Sequence, residues 1–248
     1  MTLPNPSSSD GGGRTIFIVT HGPVIAEGLA GALHDAGCQV AVLSDVEQSF
    51  PPGVVAIPTG FGGRAAIERA LQAAVGRIGW PDCIIHAAVP ASGLRSVPVS
   101  ALGDQGWRSD CLGALKATFF TLQVCFATLR ERGTRILLVG PALSLVGAEG
   151  LVPLSTALEG QRALAKSAAR QWGSHGIVIN WLAVASTGFA SELAEAKLPK
   201  PVSPEPLALG AAPTLPALVP LILAMADKAG AVLAGATLCL DGGEVMTP

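Results

Sequence analysis

The stretch Thr15–Asp45, TIFIVTHGPVIAEGLAGALHDAGCQVAVLSD, decides the fold class of this chain. It begins with a short β-branched run and passes through a Gly/Pro turn into Val24–Ala36, which has helical periodicity. It ends in a second apolar run, Gln39–Ser44. Two apolar runs joined by a helix are typical of neighbouring parallel strands, because a parallel connection must cross the whole sheet. The stretch therefore predicts a βαβ unit.

The same alternation continues along the chain. It predicts further strands at Val54–Pro58, Cys83–Ala88, Arg135–Val139, Ile177–Leu182 and Ala231–Leu240, and further helices at Ala65–Ile78, Trp107–Arg130 and Leu154–Trp172. These strands lack period-2 alternation, as expected for a parallel sheet that helices cover on both faces. We predict a flexible tail at residues 1–14 and, at 15–248, a single α/β domain with a doubly wound, Rossmann-like parallel sheet.

Composition narrows the class of protein. The net charge is −2 with scattered basic residues, which argues against a nucleic-acid partner. Only 14% of the residues are charged and 50% are apolar, so we expect part of the surface to be buried in an oligomer. The N-terminal tail lacks the apolar core of a signal peptide, and the apolar stretch Ala217–Ala226 is too short to span a bilayer. The expected location is the cytoplasm.

Neither the cysteines nor the proline-rich segment predicts a catalytic or metal site. The five cysteines form no CxxC pair and have no histidine at metal-ligand spacing, so reduced thiols and no metal site are expected. The proline-rich segment Lys197–Pro216 follows a predicted strand, where ligands and lids lie in such sheets. It is interpreted equally well as a lid over a ligand site or as an irregular connector.

Six fragments in order carry a resemblance to a known family. They are TIFIVTHG at Thr15–Gly22, LHDAGCQVAVLSD at Leu33–Asp45, GRIGWPDCIIHAA ending at Ala88, ERGTRILLVG at Glu131–Gly140, HGIVIN at His175–Asn180 and LCLDGG at Leu238–Gly243. Together they resemble the short-chain dehydrogenase/reductase family over nearly the whole chain. The resemblance implies a fold that binds a nicotinamide dinucleotide and transfers hydride.

The resemblance also locates the positions that carry catalysis in the family. Counting back from Asn180 without a gap, the motif lysine falls at Leu158, the motif tyrosine at Leu154 and the motif serine at Pro141. The relay asparagine maps to Ala114, and the chain contains no tyrosine at any position. All four catalytic positions are therefore replaced, and no catalytic residue is predicted.

These replacements remove the proton transfer of the reaction. Hydride transfer to a carbonyl leaves an alkoxide that needs a proton, which tyrosine supplies when a lysine ammonium lowers its pKa. Leucine has no proton to give, and proline offers neither a side-chain donor nor a backbone N–H. We therefore expect this chain to be inactive on its own.

The cofactor turn looks altered as well. The family's TGxxxGIG turn is Thr20-His21-Gly22-Pro23-Val24-Ile25-Ala26 here, with only Gly22 of the glycines kept and branched Val24 and Ile25 in the phosphate space. The NNAG that follows the fourth strand in the family is replaced by His86-Ala87-Ala88-Val89, and its acidic residue by Ile57–Pro58. Asp45 is either a partner for a ribose hydroxyl or a turn former. The prediction is that this chain binds no cofactor and has no cofactor-binding residue.

The leading functional hypothesis follows from the kept fold and the lost chemistry. The helices Trp107–Arg130 and Leu158–Trp172 resemble the elements through which family members assemble, and small residues on the second helix allow close packing. The resemblance implies a non-catalytic subunit in a hetero-oligomer, expected to be a tetramer, with an active paralogue. That paralogue would be an NAD-dependent dehydrogenase of the 3-hydroxyacyl-CoA type.

Two alternatives remain open at this point. One is relocated chemistry, a lyase or dehydratase with His86 as acid or base, although such a histidine is more often a satisfied core residue. The other is a regulatory module that keeps a pocket for a nucleotide or an acyl-CoA. Asp110, Cys111 and Ser144 lie close to the lost catalytic positions in sequence and are minor candidates, and His21 is interpreted as a turn residue.

Overall fold

A computed structural model describes residues 13–22, 24–196 and 207–246. Nearly all of the predicted N-terminal tail, and the half of the proline-rich segment from 197 to 206, lie outside these residues.

Seven strands form one parallel sheet. They are β1 (Thr15–His21), β2 (Gln39–Ser44), β3 (Val55–Pro58), β4 (Cys83–Ala88), β5 (Thr134–Pro141), β6 (Ile177–Val184) and β7 (Thr237–Leu240). Their order across the sheet is β3-β2-β1-β4-β5-β6-β7, and every neighbouring pair is parallel. The predicted doubly wound α/β fold is confirmed.

Helices connect the strands and cover the sheet. They are α1 (Val24–Asp35), α2 (Arg64–Ile78), α3 (Asp104–Gly106), α4 (Ala114–Leu129), α5 (Val152–Trp172), α6 (Ser186–Phe189) and α7 (Val219–Ala226). A π-helical segment, Trp107–Gly113, joins α3 to α4. The apolar stretch near the chain end is thus a helix, α7, with Val219, Ile222 and Met225 buried against the core.

The last strand begins later than the sequence predicts. Residues Lys228–Val232 form a 3-10 turn, and β7 starts at Thr237. The Asn180 side chain explains the late start, because its amide donates to Leu233 O at 2.8 Å and accepts from Ala236 N at 3.0 Å. The Asn180 side chain thus joins the β6 backbone in holding the connection, since Gly235 N–H donates to Ile179 O at 2.8 Å and Trp181 N–H donates to Ala236 O at 2.9 Å.

The long helix before β5 belongs to the core. Within the described residues, one stretch, Asp104–Leu129, has the length and apolar composition of a membrane-crossing helix. Its α4 part packs against α2, α5 and β4, and Ala117, Val124 and Cys125 are buried there. Packing within the fold accounts for the buried part of its apolar composition.

The strand order creates the crevice in which a ligand site is expected. β1 lies between β2 and β4, so the chain connections diverge at the carboxyl ends of β1 and β4. In open α/β sheets, ligands bind at this topological switch point. The residues that end β1, β2, β3 and β4 therefore define the candidate site.

Candidate functional site

The positions to which the resemblance assigns the family's tyrosine and lysine are part of the hydrophobic core. Leu154 and Leu158 lie one turn apart on α5 with 1% and 0% of their surface exposed. Leu158 packs beside Trp181 over Gly140, where a Cβ would lie 2.7 Å from atoms of both side chains. Apolar atoms fill this end of the crevice, which therefore has no proton donor at these positions.

The neighbouring lost positions are also closed. Pro141 ends β5 and is buried, and Ala114 at the start of α4 has no exposed surface. Asp110 in the π-helical segment accepts hydrogen bonds from Ser92 Oγ at 2.5 Å and Ser109 Oγ at 2.8 Å. These bonds tie the loop after β4 to the helix, so Asp110 has a structural role.

His86 is a satisfied core histidine. It is completely buried; its Nδ1–H donates to Val19 O at 2.8 Å, and its Nε2 accepts from Thr118 Oγ1 at 3.0 Å. Burial lowers the pKa of His86 to about 4. Both ring nitrogens are occupied and neither reaches the crevice, so the relocated-chemistry alternative loses the residue on which it depended. Cys111 is not among the hydrogen-bond partners of His86.

The buried imidazole makes stability depend on pH. Because the folded pKa is about 4 and an unfolded histidine titrates near 6.5, the unfolded chain binds the extra proton between these values. We expect His86 to remove about 3 kcal/mol of unfolding free energy as the pH falls from 6.5 to 4. In denaturant titrations, the free energy of unfolding of His86→Gln, taken relative to its value at pH 7, should fall less steeply between pH 6.5 and 4 than that of the wild-type chain. The exposed control His175→Gln should leave the slope intact, and an unchanged slope in His86→Gln would contradict the prediction.

The ends of β1 and β2 are joined by a contact that the sequence analysis missed. His21 Nδ1 lies 2.5 Å from Asp45 Oδ2, and Gly22 N–H donates to Asp45 Oδ1 at 3.0 Å. Burial would raise the pKa of Asp45, but the hydrogen bonds from His21 and Gly22 outweigh it and hold that pKa below its ordinary value. The Asp45 carboxylate is therefore ionised and fixed at the switch point.

A cavity of about 740 Å³ opens beside this carboxylate. Its lining comes from the ends of β2 and β3 and the loops that follow them, and includes Ser44, Asp45, Glu47, Phe50, Ile57 and Thr59. The Thr59 hydroxyl is buried without a hydrogen-bond partner among the described residues. The ionised carboxylate and the unpaired hydroxyl can bond to hydroxyl groups of a ligand, and the apolar walls can hold a flat apolar part. The cavity therefore suits a ligand that carries both kinds of group.

The turn after β1 is tight, but the Ile25 side chain does not fill the phosphate space as the sequence suggested. Gly22 has φ +102°, and a Cβ there would collide with Val89 O of the loop after β4. Ile25 is 1% exposed and belongs to the core cluster, so its branched side chain packs inward. The predicted obstruction by Ile25 is therefore not observed at the crevice surface.

The far end of the crevice holds a buried acid that the sequence analysis also missed. The Glu244 carboxylate accepts from Ser186 N–H at 2.6 Å and from the Ser186 hydroxyl, which in turn accepts from Leu143 N–H at 3.3 Å. Burial raises the pKa of Glu244. This network fixes the chain end against the ends of β5 and β6. No group of three metal-ligating side chains occurs in the part of the chain that the structure describes.

Comparison with known proteins identifies the family. The family model described as enoyl-(acyl carrier protein) reductase matches residues 22–244, and the seven-stranded parallel sheet is that of short-chain dehydrogenases. The chain belongs to the short-chain dehydrogenase/reductase family of oxidoreductases.

Two curated relatives match about half of the chain or less. The 12α-hydroxysteroid dehydrogenase of Clostridium sp. is 28% identical over 115 residues, which are 46% of this chain and 43% of that protein. An oxidoreductase of Mycobacterium tuberculosis without assigned activity is 34% identical over 97 residues, 38% of this chain and 33% of that protein. The matches thus span less than half the length of either relative.

Solved structures share the fold over almost the whole chain. The 3-ketoacyl-(acyl-carrier-protein) reductase of Brucella melitensis, solved as a complex with NADH, superimposes with a TM-score of 0.78 at 14% identity. The match covers 95% of this chain and 99% of the Brucella chain.

This comparison corrects the cofactor prediction. The sequence analysis expected no cofactor in this chain, and that expectation is wrong, because the chain has the cofactor-binding fold seen in the NADH complex. The replaced glycines of the turn misled the prediction. Without them, the fold still brings Asp45 beside the end of β1 and next to a cavity at the carboxyl ends of β2 and β3.

Proposed function

We propose that this chain is a non-catalytic short-chain dehydrogenase subunit that assembles with an active, NAD-dependent paralogue. One observation carries the proposal: core leucines, Leu154 and Leu158, occupy the positions of the family's proton-donating tyrosine and its lysine. A chain without this pair has no group to protonate the alkoxide left by hydride transfer. The fold around the pair is kept, which favours a role in assembly.

An exposed apolar strip supports assembly. Leu112 of the π-helical segment and Phe119 of α4 have 36% and 43% of their surface exposed. The ring centroids of Phe119 and its neighbour Phe120 are 5.6 Å apart. Large apolar side chains that are exposed together mark interaction surfaces. We define Leu112, Phe119 and Phe120 as the α4 strip.

The adjacent helix α5 divides its small residues between two environments. Ala165, Ala168 and Ala169 are buried within the subunit, whereas Ala163 and Ser167 are exposed. Leu115 of α4 packs over Gly160 of α5, so the two helices lie close together. Small exposed residues beside the α4 strip permit the close approach of another subunit's helices.

The partner and the location remain parts of the proposal. The arrangement resembles that of (2S)-[(R)-hydroxy(phenyl)methyl]succinyl-CoA dehydrogenase of anaerobic toluene degradation, in which one subunit of this fold carries the active site and the other lacks it. We propose a heterotetramer of this kind, with the active subunit acting on a 3-hydroxyacyl-CoA. All five cysteines are free thiols, which suits the reducing cytoplasm.

The proposal includes nucleotide binding by this chain. Asp45 and Thr59 would hold the ribose of a dinucleotide, with its adenine against the apolar cavity wall. A bound nicotinamide dinucleotide supplies hydride transfer in dehydrogenases. The residues at positions 141, 154 and 158 offer no proton for that chemistry, so the nucleotide would have a binding role here.

Co-expression tests the assembly. Expressed with the proposed active paralogue, the chain should co-purify as one hetero-oligomer, and native mass spectrometry should count both subunits. Phe119→Arg should weaken the complex by about 30- to 1,000-fold, because an arginine at an interface centre costs about 2–4 kcal/mol. The matched control, Leu209→Arg, changes a residue that is 74% exposed and lies off the α4 strip, and should assemble normally. Two separate, non-interacting species would contradict the proposal.

A further inference from the structure

The His21–Asp45 contact connects three strand ends. His21 ends β1, Asp45 follows β2, and the His21 ring packs at 5.3 Å against Phe61, which is buried just beyond β3. Ring packing and the hydrogen bond together fix the imidazole. The side chains of His21 and Asp45 remain 23% and 27% exposed, so a ligand in the crevice can reach them.

The two bonds to Asp45 both come from the end of β1. His21 Nδ1–H donates to Oδ2 and Gly22 N–H donates to Oδ1, at 2.5 Å and 3.0 Å. An ionised carboxylate offers about four acceptor positions, of which these bonds use two. Asp45 also lines the cavity, so its remaining acceptor positions are available to a donor bound there.

The cavity has a charge pattern that favours a donor over an anion next to Asp45. Asp45 and Glu47 line it, and none of its described lining residues is lysine or arginine. A neutral hydroxyl is therefore a better partner for Asp45 than a phosphate group, which two carboxylates would repel. The low pKa of Asp45 keeps the acceptor ionised at neutral pH.

We propose that His21 is a positioning residue which orients the Asp45 carboxylate to accept a hydrogen bond from a free ribose hydroxyl of an adenine nucleotide in the cavity. The inference rests on the nucleotide binding proposed above and assigns to His21 the selectivity for a nucleotide that carries this hydroxyl. Without the imidazole, the Asp45 side chain loses its bond at Oδ2 and becomes free to rotate. A ligand hydroxyl would then have to order it, at the expense of affinity.

Binding of ADP and its deoxy analogues tests this role. Calorimetry would measure ADP, 2′-deoxy-ADP and 3′-deoxy-ADP against the wild-type chain, His21→Leu and His21→Asn, with the exposed His175→Leu as the matched control. The wild-type chain should bind ADP about tenfold more tightly than the analogue that lacks the hydroxyl bonded to Asp45, because that analogue loses one charge-assisted hydrogen bond. His21→Leu should lose this preference, and His21→Asn should keep it, because its amide nitrogen replaces Nδ1 as the donor.

The outcomes separate the inference from the function on which it rests. If the wild-type chain binds ADP but His21→Leu keeps the same preference for the ribose hydroxyl, the role of His21 is overturned and the nucleotide pocket stands. If the wild-type chain binds none of the three nucleotides, both fail. Circular dichroism confirms that each variant is folded, and His21→Asn retains the test if His21→Leu does not fold.

Discussion

Replacing Leu158 by lysine should lower the free energy of unfolding by about 3–5 kcal/mol, although lysine is what the family carries at this position. Leu158 has no exposed surface, and its neighbours include Gly140 and the Trp181 ring. A lysine ammonium there would be buried without a partner, since the surrounding tyrosine and serine positions are Leu154 and Pro141. Urea denaturation at pH 7 measures the loss.

Leu158→Met is the matched control. Methionine has a similar volume and no charge, so it should cost less than about 1.5 kcal/mol. The difference in unfolding free energy between the two variants measures the cost of the buried charge separately from the cost of the change in shape. Equal stability of the lysine and methionine variants would contradict the account, because it would mean that the crevice still offers this position water or a polar partner.

The expected loss has a consequence for restoring activity. In an active family member the lysine, tyrosine and serine support one another through charge and hydrogen bonds. In this chain Leu154 and Leu158 are buried among apolar side chains, so a polar residue introduced singly at either position would be unsatisfied. Returning one residue at a time is therefore expected to destabilise the chain without producing turnover.

The sequence predicted the fold well because the fold depends on local pattern and spacing, and the assignment of the catalytic positions stays a prediction that rests on the same spacing. Six of the seven strands were placed within two residues at each end from their apolar runs, and four of these six within one. The spacing from Asn180 back to Leu158 and Leu154 lies along one helix and one strand, where no insertion intervenes. The start of β7 was missed because residues 228–232 form a 3-10 turn, and the Asn180 side chain, a long-range partner, bonds to Leu233 and Ala236 ahead of the strand.

The site was harder to predict because it depends on contacts across the sheet. The preferred interpretation of His86 as a satisfied core histidine is confirmed, but its partner Thr118, 32 residues away, could not be identified from the sequence. The His21–Asp45 contact did have a signal: Thr20 pairs with Ser44 in the parallel register, so the next residue on each strand lies opposite the other. Considered separately, His21 was interpreted as a turn residue, and Asp45 as either a partner for a ribose hydroxyl or a turn former.

The second large effect concerns the division of labour in the proposed complex. Removing the motif tyrosine from the proposed active partner, by Tyr→Phe, should reduce turnover of that complex by about 10²–10⁴-fold, the usual contribution of a general acid. The reason is that this chain has no tyrosine to take over, and its positions 154 and 158 are buried leucines. The Phe119→Arg variant of this chain should instead lower activity only as far as it dissociates the complex.

The most direct measurement is the turnover of the purified chain alone, beside that of the co-purified complex. Reduction of acetoacetyl-CoA would be followed by the absorbance of NADH or NADPH at pH 7, with circular dichroism to confirm folding. The account predicts no rate above the buffer background for the isolated chain, and turnover for the complex that disappears with the partner's tyrosine. Turnover by the isolated chain, or activity of the complex that survives loss of the partner's tyrosine, would contradict it.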